Sequence, residues 1–468
     1  MTPFGTAGIR GPVAGTVTPE LALAVGQAAG QPGTTFVVGR DGRETGPALA
    51  AAVEAGLESA GADVHRLGQV PTPTLAFASQ GRRGVMITAS HNPPADNGIK
   101  LFVDGVEYDR DAERKIEATL EAGAEAGTGA NAADWDEWGD GDRLEVLPTY
   151  HDAVLEYVRG LAGQTTDNDR LPLAGLSVAV DCGTGVSALA TPQVLERLGA
   201  DVVALNATVD GHFPARPSKP TPETLTDFSA FLADGDFDLG IAHDGDGDRI
   251  VVLDGEGVVV HEDTVLALVA AYYTRHADAD DPVVITTPNA SARIDEQVRA
   301  TGGRVERVHL GALHEGIARV QAGASTDTGV VFAAEPWKHI HPAFGGWIDA
   351  TVSAALVGML VSEAGDIDTL RRPVTERPYR KVAIDCPDEQ KTPAMGALES
   401  TLPERFPDAT VETEYGVRLE FSDASWLLVR PSGTEPYVRL YAESDDVDDL
   451  VTEASAVIEA AIADAASA

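Results

Sequence analysis

Short apolar runs alternate with longer amphipathic stretches along most of the chain. Residues 35–38, 62–67, 84–87, 176–180, 202–205, 239–242, 283–286 and 330–333 read as buried strands. Between them, 18–29, 49–60, 110–122, 150–161, 192–198, 223–233, 264–274, 291–300 and 350–364 carry helical spacing. Thr18 and Pro19 supply an N-cap and a first-turn proline for the first of these helices. The order strand, helix, strand over 176–205 predicts a compact crossover between parallel strands. Residues 304–308 continue the third such unit, which the helix at 350–364 is expected to close. Beyond about residue 371 the strands at 380–385, 417–421 and 426–429 are followed by a single helix at 447–463. The pattern predicts three similar mixed α/β units followed by a smaller α+β one. Residues 123–142, rich in Ala, Gly and Asp, are expected to form a loose surface insertion.

At 468 residues the chain exceeds one ordinary hydrophobic core, and 43% hydrophobic with 23% charged residues is a globular composition. The apolar runs stop short of membrane-spanning length, and the first residues lack the basic flank and apolar core of a secretory signal. A cytoplasmic location with no membrane partner is expected. Cys182 and Cys386 make neither a disulfide framework nor a metal-ligand spacing. The formal net charge is −40, from 74 acidic against 34 basic residues. So strong a negative field repels nucleic acid and anionic membranes, and neither is expected as a partner. Lysine occurs only at Lys100, Lys115, Lys219, Lys338, Lys381 and Lys391. A basic residue inside a motif is therefore a stronger signal here than in a balanced sequence.

Four stretches carry candidate chemistry. After the apolar run at 84–87, residues 88–100 read Thr-Ala-Ser-His-Asn-Pro-Pro-Ala-Asp-Asn-Gly-Ile-Lys, a loop composition that presents Ser90 with His91 and Lys100 close behind. A surface turn with an incidental serine has the same composition. Asp244-Gly-Asp-Gly-Asp248-Arg249 sets three carboxylates at alternate positions, with glycines that let the backbone curl until all three face one point. All-oxygen ligation suits Mg²⁺ or Ca²⁺. The twelfth position of a helix–loop–helix calcium site needs a bidentate Glu, and here it is Gly255. Arg430-Pro-Ser-Gly-Thr-Glu-Pro436 gathers a guanidinium, two hydroxyls and an open backbone after a strand, a set able to cradle phosphate. Glu335-Pro-Trp-Lys-His339 joins an acid, an indole, an ammonium and an imidazole at another strand end. Arg10, among three glycines, is expected on a folded-back loop, and Gly39-Arg-Asp-Gly-Arg43 is a turn loaded with arginine.

The stretches at 88–100, 244–249 and 430–436, in that order, resemble the phosphoserine, metal and phosphate-binding loops of the α-D-phosphohexomutase family. Phe4-Gly-Thr-Ala-Gly-Ile-Arg-Gly11, Val38-Gly-Arg-Asp-Gly-Arg43 and Asp210-Gly-His-Phe-Pro214 are similar to further family segments. The resemblance implies four domains around a central active-site cleft, with boundaries expected at 1–147, 148–253, 254–368 and 369–468. It implies reversible transfer of phosphate between O1 and O6 of a hexose, with a hexose 1,6-bisphosphate as intermediate and activator. Ser90 would carry the phosphoryl group, and Asp244, Asp246 and Asp248 would hold Mg²⁺ with a phosphoserine oxygen. Arg10, Lys100 and Arg249 would balance charge or assist proton transfer, with His91 as acid or base. Arg430, Ser432, Gly433 and Thr434 would hold the phosphate not being transferred.

The sequence departs from the family at the sugar-reading loop, where the usual pattern is Glu-x-Ser-Gly-His. Glu335 and His339 keep their places, but Trp337 and Lys338 replace the serine and glycine, and Ala7 replaces another common serine. Lys338 would favour a more anionic or smaller sugar, and Trp337 would stack on a ring face. Glucosamine, glucose, mannose and pentose phosphates all stay open. A sugar-phosphate phosphatase and a non-catalytic sugar-phosphate sensor are the alternative readings. An all-over acidic surface also fits life in high salt, where self-repulsion is screened. The expected outcome is a thermal midpoint that rises steeply between dilute buffer and molar KCl, and indifference to salt removes that reading.

Overall fold

The computed structural model describes residues 4–5, 8–126, 131–163, 170–323, 327–433 and 435–467. The chain divides into two units, Met1–Glu262 with Trp337–Leu370, and Asp263–Pro336 with Arg371–Ala468.

The first unit begins with β1 (Ile9–Pro12), β2 (Thr35–Arg40), β3 (Asp63–Gln69), β4 (Arg83–Ile87), β5 (Asp96–Val103), β6 (Val106–Glu107) and β7 (Gly141–Arg143). They join in the order β1-β5-β4-β2-β3-β7, with β6 against β5. β2 is parallel to β3 and β4, whereas β5 runs antiparallel to β4 and β1. Phe36 and Val38 enter one core and Val37 another, so the run at 35–38 is apolar because both faces of its strand are covered. The helices Pro19–Ala29 and Gly46–Ser59 lie on the Phe36 side. They approach so closely that a Cβ at Gly26 would meet Val53 O at 2.3 Å and one at Gly56 would meet Leu23 O at 2.2 Å. Thr18 caps the first helix as expected, its hydroxyl accepting from Leu21 N.

Two loop expectations give way to strand. The end of the stretch at 88–100 lies on β5, with Lys100 opposite Met86, because Ile99 and Leu101 are both buried in the core. Arg10 lies on β1 opposite Gly98. The segment expected to be a loose insertion at 123–142 contributes helix up to residue 126 and returns to the sheet as β7 beside β3.

A second sheet in this unit contains β8 (Ser177–Asp181), β9 (Asp201–Leu205), β10 (Leu239–His243) and β11 (Ile250–Asp254), in the order β11-β10-β8-β9. The predicted crossover is present, with β8 parallel to β9 and Thr191–Arg197 between them. β10 and β11 form an antiparallel pair whose connection is the aspartate loop, pinned where His243 faces Ile250. The helix Ala350–Ala364, expected to close the third unit, packs instead in this one, against the helices Leu147–Ala162 and Thr191–Arg197. Every residue from Ala350 to Val361 is buried, which requires neighbours on all sides.

The second unit holds parallel strands β12 (Asp281–Thr286), β13 (Arg304–Arg307) and β14 (Thr328–Glu335), with β12 central. After it, β15 (Lys338–Ile340) lies on the return into the first unit. The chain's last sheet is antiparallel and comprises β16 (Tyr379–Asp385), β17 (Thr410–Glu412), β18 (Val417–Glu420), β19 (Trp426–Pro431) and β20 (Tyr437–Glu443), in the order β16-β20-β19-β18-β17. The helices Leu313–Gly323 and Asp388–Arg405 were not expected from the sequence. The latter contains Pro393 and Pro403, which read as breakers. Buried Lys391, Ala394, Leu398 and Leu402 nevertheless form a stripe at helical spacing that holds it on the sheet. Among the described residues no helix is long and apolar enough to cross a membrane.

Inside this unit a buried ion pair links the two sheets' segments. Arg293 NH2 lies 2.6 Å from Glu443 Oε1, both side chains being 1% exposed, and Trp426 Nε1 donates to the other oxygen at 2.9 Å. Arg418 donates to Pro288 O at 2.7 Å while its guanidinium stacks on the Trp426 ring. Arg293→Met strands the Glu443 carboxylate in the core, and a loss of about 3–5 kcal/mol in urea unfolding is expected.

Candidate active site

The site begins where β4 ends. Ser90 sits at φ +51°, a left-handed conformation that a serine holds only if its surroundings impose it. Those surroundings can be named. Ser90 N donates to Thr88 Oγ1 at 2.8 Å, and that hydroxyl donates in turn to Asp41 Oδ2 at 2.7 Å. Asp41 is fully buried and paired with Arg43 Nε at 3.0 Å. The Arg43 guanidinium then donates to four loop carbonyls, those of Ser90, Asn92, Pro93 and Asp96, at 2.5–2.9 Å. Its face lies over the Phe213 ring.

The same loop is tied to the aspartate loop. Ser218 Oγ donates to Ser90 O at 3.0 Å and accepts from Gly245 N at 3.0 Å. Thr72 donates to Asp246 twice, from Oγ1 to Oδ2 at 2.8 Å and from its backbone N to the carbonyl at 2.9 Å. With both loops fixed, Ser90 Oγ donates to Asp244 Oδ2 at 2.8 Å, and His91 Nδ1 stands 3.4 Å from the same hydroxyl.

Asp244, Asp246 and Asp248 are buried, and one ligand atom from each lies within 4.8 Å of the others. Asp246 Oδ1 and Asp248 Oδ1 are buried without a hydrogen-bond partner. Oxygen donors converging in this way, two of them unsatisfied, fit a hard divalent cation. Burial, and then the charges of Asp246 and Asp248, push the Asp244 carboxyl up to about 8. Burial acts in the same sense on Asp248, but Lys338, Lys100, Arg249 and Arg10 outweigh it and hold that carboxyl far below its usual range.

The cations arrive from separate elements. Lys100, on β5 and 1% exposed, places Nζ 3.2 Å from Asp248 Oδ2, 3.6 Å from Asp246 Oδ2 and 3.4 Å from Glu107 Oε1. Burial alone would favour its neutral form, but Glu107, Asp248 and Asp246 overcome it and raise its pKa, so it stays an ammonium. Arg249 Nε lies 3.7 Å from Asp244 Oδ2. Arg10, on β1, has Nε and NH2 buried without a hydrogen-bond partner. Burial, followed by the charges of Arg249 and Arg10, pushes His91 down to about 3, which leaves a neutral imidazole at physiological pH.

Lys338 joins this group, its Nζ 3.8 Å from Asp248 Oδ2. Trp337 takes φ +70°, its carbonyl accepts from Ile250 N at 3.0 Å, and its ring packs on the cluster that contains Leu225 and Phe228. His339 is buried with Nδ1 3.0 Å from Ser353 Oγ, and burial pushes it down to about 3. Glu335 ends β14 in the second unit.

The second unit carries the other candidate loop. Arg430 NH2 donates to the Tyr441 hydroxyl at 3.0 Å, while Arg430 Nε, Ser432 Oγ and Arg439 Nε are buried without a hydrogen-bond partner. Arg439 stands opposite Arg430 in register. Lys391 fixes the loop by donating to the carbonyls of Ser432 at 2.7 Å and Glu435 at 2.6 Å. Gly433 has open space around it. Thr434 and Ala7 lie outside the described residues.

Residues 1–127 match the family described as Phosphoglucomutase/phosphomannomutase, alpha/beta/alpha domain I. Residues 155–257 match its alpha/beta/alpha domain II, and 382–460 its C-terminal domain. The chain belongs to this family. A protein named "Phosphopentomutase" from Thermococcus kodakarensis is 40% identical over 447 residues, covering 94% of this chain and 93% of that one. One named "Probable phosphoglucosamine mutase" from Methanopyrus kandleri is 41% identical over 454 residues, covering 94% of each. The fold matches a Phosphoglucomutase/phosphomannomutase family protein from Burkholderia thailandensis with a TM-score of 0.82 over 97% of both chains, at 24% identity. The family's α/β fold and its α-D-phosphohexomutase resemblance are thereby established, and the chain is an enzyme of the isomerase class that moves a phosphoryl group.

Several residues that build the site were not named from the sequence. Arg43 and Asp41 had a signal, since both fall in a family-like segment. Thr88 lies in the singled-out stretch at 88–100, but Ser218 and Thr72 had no signal, being ordinary hydroxyl residues whose partners lie far along the chain. Arg43→Met removes the donor to four carbonyls and leaves Asp41 buried without its partner. A loss of about 3–5 kcal/mol is expected, with hydrogen exchange accelerated selectively at residues 88–98.

Proposed function

We propose that the chain interconverts the 1- and 6-phosphates of a hexose by way of a phosphoryl group carried on Ser90 Oγ. The contact that supports this reading most directly is the 2.8 Å hydrogen bond from that hydroxyl to Asp244 of the buried triad. Asp244, Asp246 and Asp248 would hold Mg²⁺ together with an oxygen of phosphorylated Ser90. The bound ion supplies neutralising charge to the phosphoryl oxygens, which this reaction needs more than covalent machinery. Lys100, Arg10 and Arg249 add fixed positive charge around the same oxygens. His91, whose Nδ1 stands 3.4 Å from Ser90 Oγ, is the proposed acid or base beside the transferred group. Arg430, Ser432, Gly433 and Thr434 are the proposed anchor for the phosphate that is not transferred. The orphaned Arg430 Nε and Ser432 Oγ support that role. Glu335, Trp337 and His339 form the proposed sugar-reading set. Each loop belongs to a different one of the segments 1–147, 148–253, 254–368 and 369–468.

Transfer between O1 and O5 of a pentose is the second reading. It is favoured by the relative named "Phosphopentomutase", and by the added bulk of Trp337 and Lys338 in the sugar loop.

A coupled mutase assay in molar salt, with Mg²⁺ and a trace of hexose 1,6-bisphosphate, tests both. Glucosamine, glucose, mannose and ribose phosphates are compared, with Ser90→Ala alongside. Turnover of one hexose phosphate, reduced at least about a thousandfold in the variant, is the expected result. Preference for ribose phosphate selects the second reading. Release of inorganic phosphate without isomerised sugar would establish a phosphatase instead, and sugar binding without turnover a sensor.

A further inference from the structure

Two of the chain's six lysines converge on one carboxylate oxygen. Lys100 Nζ is 3.2 Å and Lys338 Nζ 3.8 Å from Asp248 Oδ2, while Asp248 Oδ1 is buried without a hydrogen-bond partner. Their settings differ. Lys100 is 1% exposed, lies on a central strand and is held by Glu107 and Asp246 as well. Lys338 is 13% exposed at its side chain, and Asp248 is its ion-pair partner within 4 Å. It follows a turn in which a bulky residue, Trp337, is held at φ +70° by the Ile250–Trp337 hydrogen bond and by packing of the indole. The turn thus aims the lysine stem at the aspartate loop. Among the described cations, Lys100 is held by three carboxylates and Arg249 pairs with Asp244, whereas Lys338 sits on a flexible stem with Asp248 as its partner, so its departure frees that carboxylate.

We propose that Lys338 is a resident counter-ion of the aspartate loop, and that it gives up Asp248 when a divalent cation binds. The inference rests on the reading of Asp244, Asp246 and Asp248 as the cation site. A divalent ion on the triad and an ammonium 3.8 Å from one of its carboxylates oppose each other directly, so Lys338 weakens cation binding. A purely structural lysine acts in the opposite sense, because its loss loosens the loop and lowers affinity. Lys338 is therefore a positioning residue that sets the cation concentration at which the site fills.

The experiment is calorimetric titration of the dephosphorylated, full-length chain with Mg²⁺, and then Mn²⁺, in molar KCl. Wild type is compared with Lys338→Met and Lys338→Arg. Lys338→Met is expected to bind both ions at least fivefold more tightly, while Lys338→Arg, which keeps the charge, stays within twofold of wild type. Equal or weaker binding by Lys338→Met overturns the proposal, as does absence of cation binding in every variant. Thermal unfolding of each variant verifies folding, and Lys338→Gln replaces Lys338→Met if the latter does not fold. Because the readout is binding rather than turnover, it stands even if none of the sugar phosphates is a substrate.

Discussion

Three carboxylates converging in a buried space are the constraint to which the first unit's architecture answers. At an effective dielectric near 20, each pair of like charges about 4 Å apart costs roughly 4 kcal/mol, before any cost of leaving water. Such a cluster is stable only if positive charge is built in around it. The chain does this although it is otherwise strongly acidic, bringing Lys100, Lys338, Arg249 and Arg10 to one place from four different segments. The sheet order serves that end. β5 lies between β4 and β1, so the strand carrying Lys100 and the strand carrying Arg10 are neighbours beside the serine loop. Their approach depends on Gly98, where a Cβ would meet Ile9 O and Thr88 O at 2.5 Å each.

Charge balance would be of little use if the loops moved, and the fastening is made mostly to backbone. Arg43 captures four carbonyls of the serine loop, and Lys391 captures two of the Arg430 loop. A long cationic side chain reaching back to bind loop carbonyls fixes the path of the chain while leaving the loop's own side chains for chemistry. At Ser90 this has a visible effect. The left-handed backbone there is held from the Thr88 side and the Arg43 side together, and Ser218 couples it to Gly245. Preorganisation of this kind lowers the reorganisation needed when charge develops on a transferred phosphoryl group.

What was legible in the sequence follows from how far apart the partners are. The aspartate loop, the serine loop and the Arg430 loop announce themselves because their chemistry lies within a few consecutive residues. The strands at 35–38 and 239–242 were equally plain, being buried on both faces. Lys100 was misread as loop because Asp-Asn-Gly is turn composition, and only pairing with β4 and β1 makes it a strand. The helix Asp388–Arg405 was hidden by its prolines, since its buried stripe counts for more than the local propensity. Thr72 and Asp246 are 174 residues apart, and nothing local to either marks the contact.

The turn at Trp337 shows why an unusual residue in a motif has to be read through its backbone. A glycine or asparagine would adopt φ near +70° at little cost, yet the residue there is Trp337. A residue with that penalty persists when its side chain gains elsewhere, and the indole does so by packing beside Leu225 and Phe228. The indole is thereby half-buried against that cluster. What the turn presents to the site is the next side chain, the Lys338 ammonium. The first effect of Lys338 is therefore on charge at Asp248, whose Oδ2 lies 3.8 Å from its ammonium.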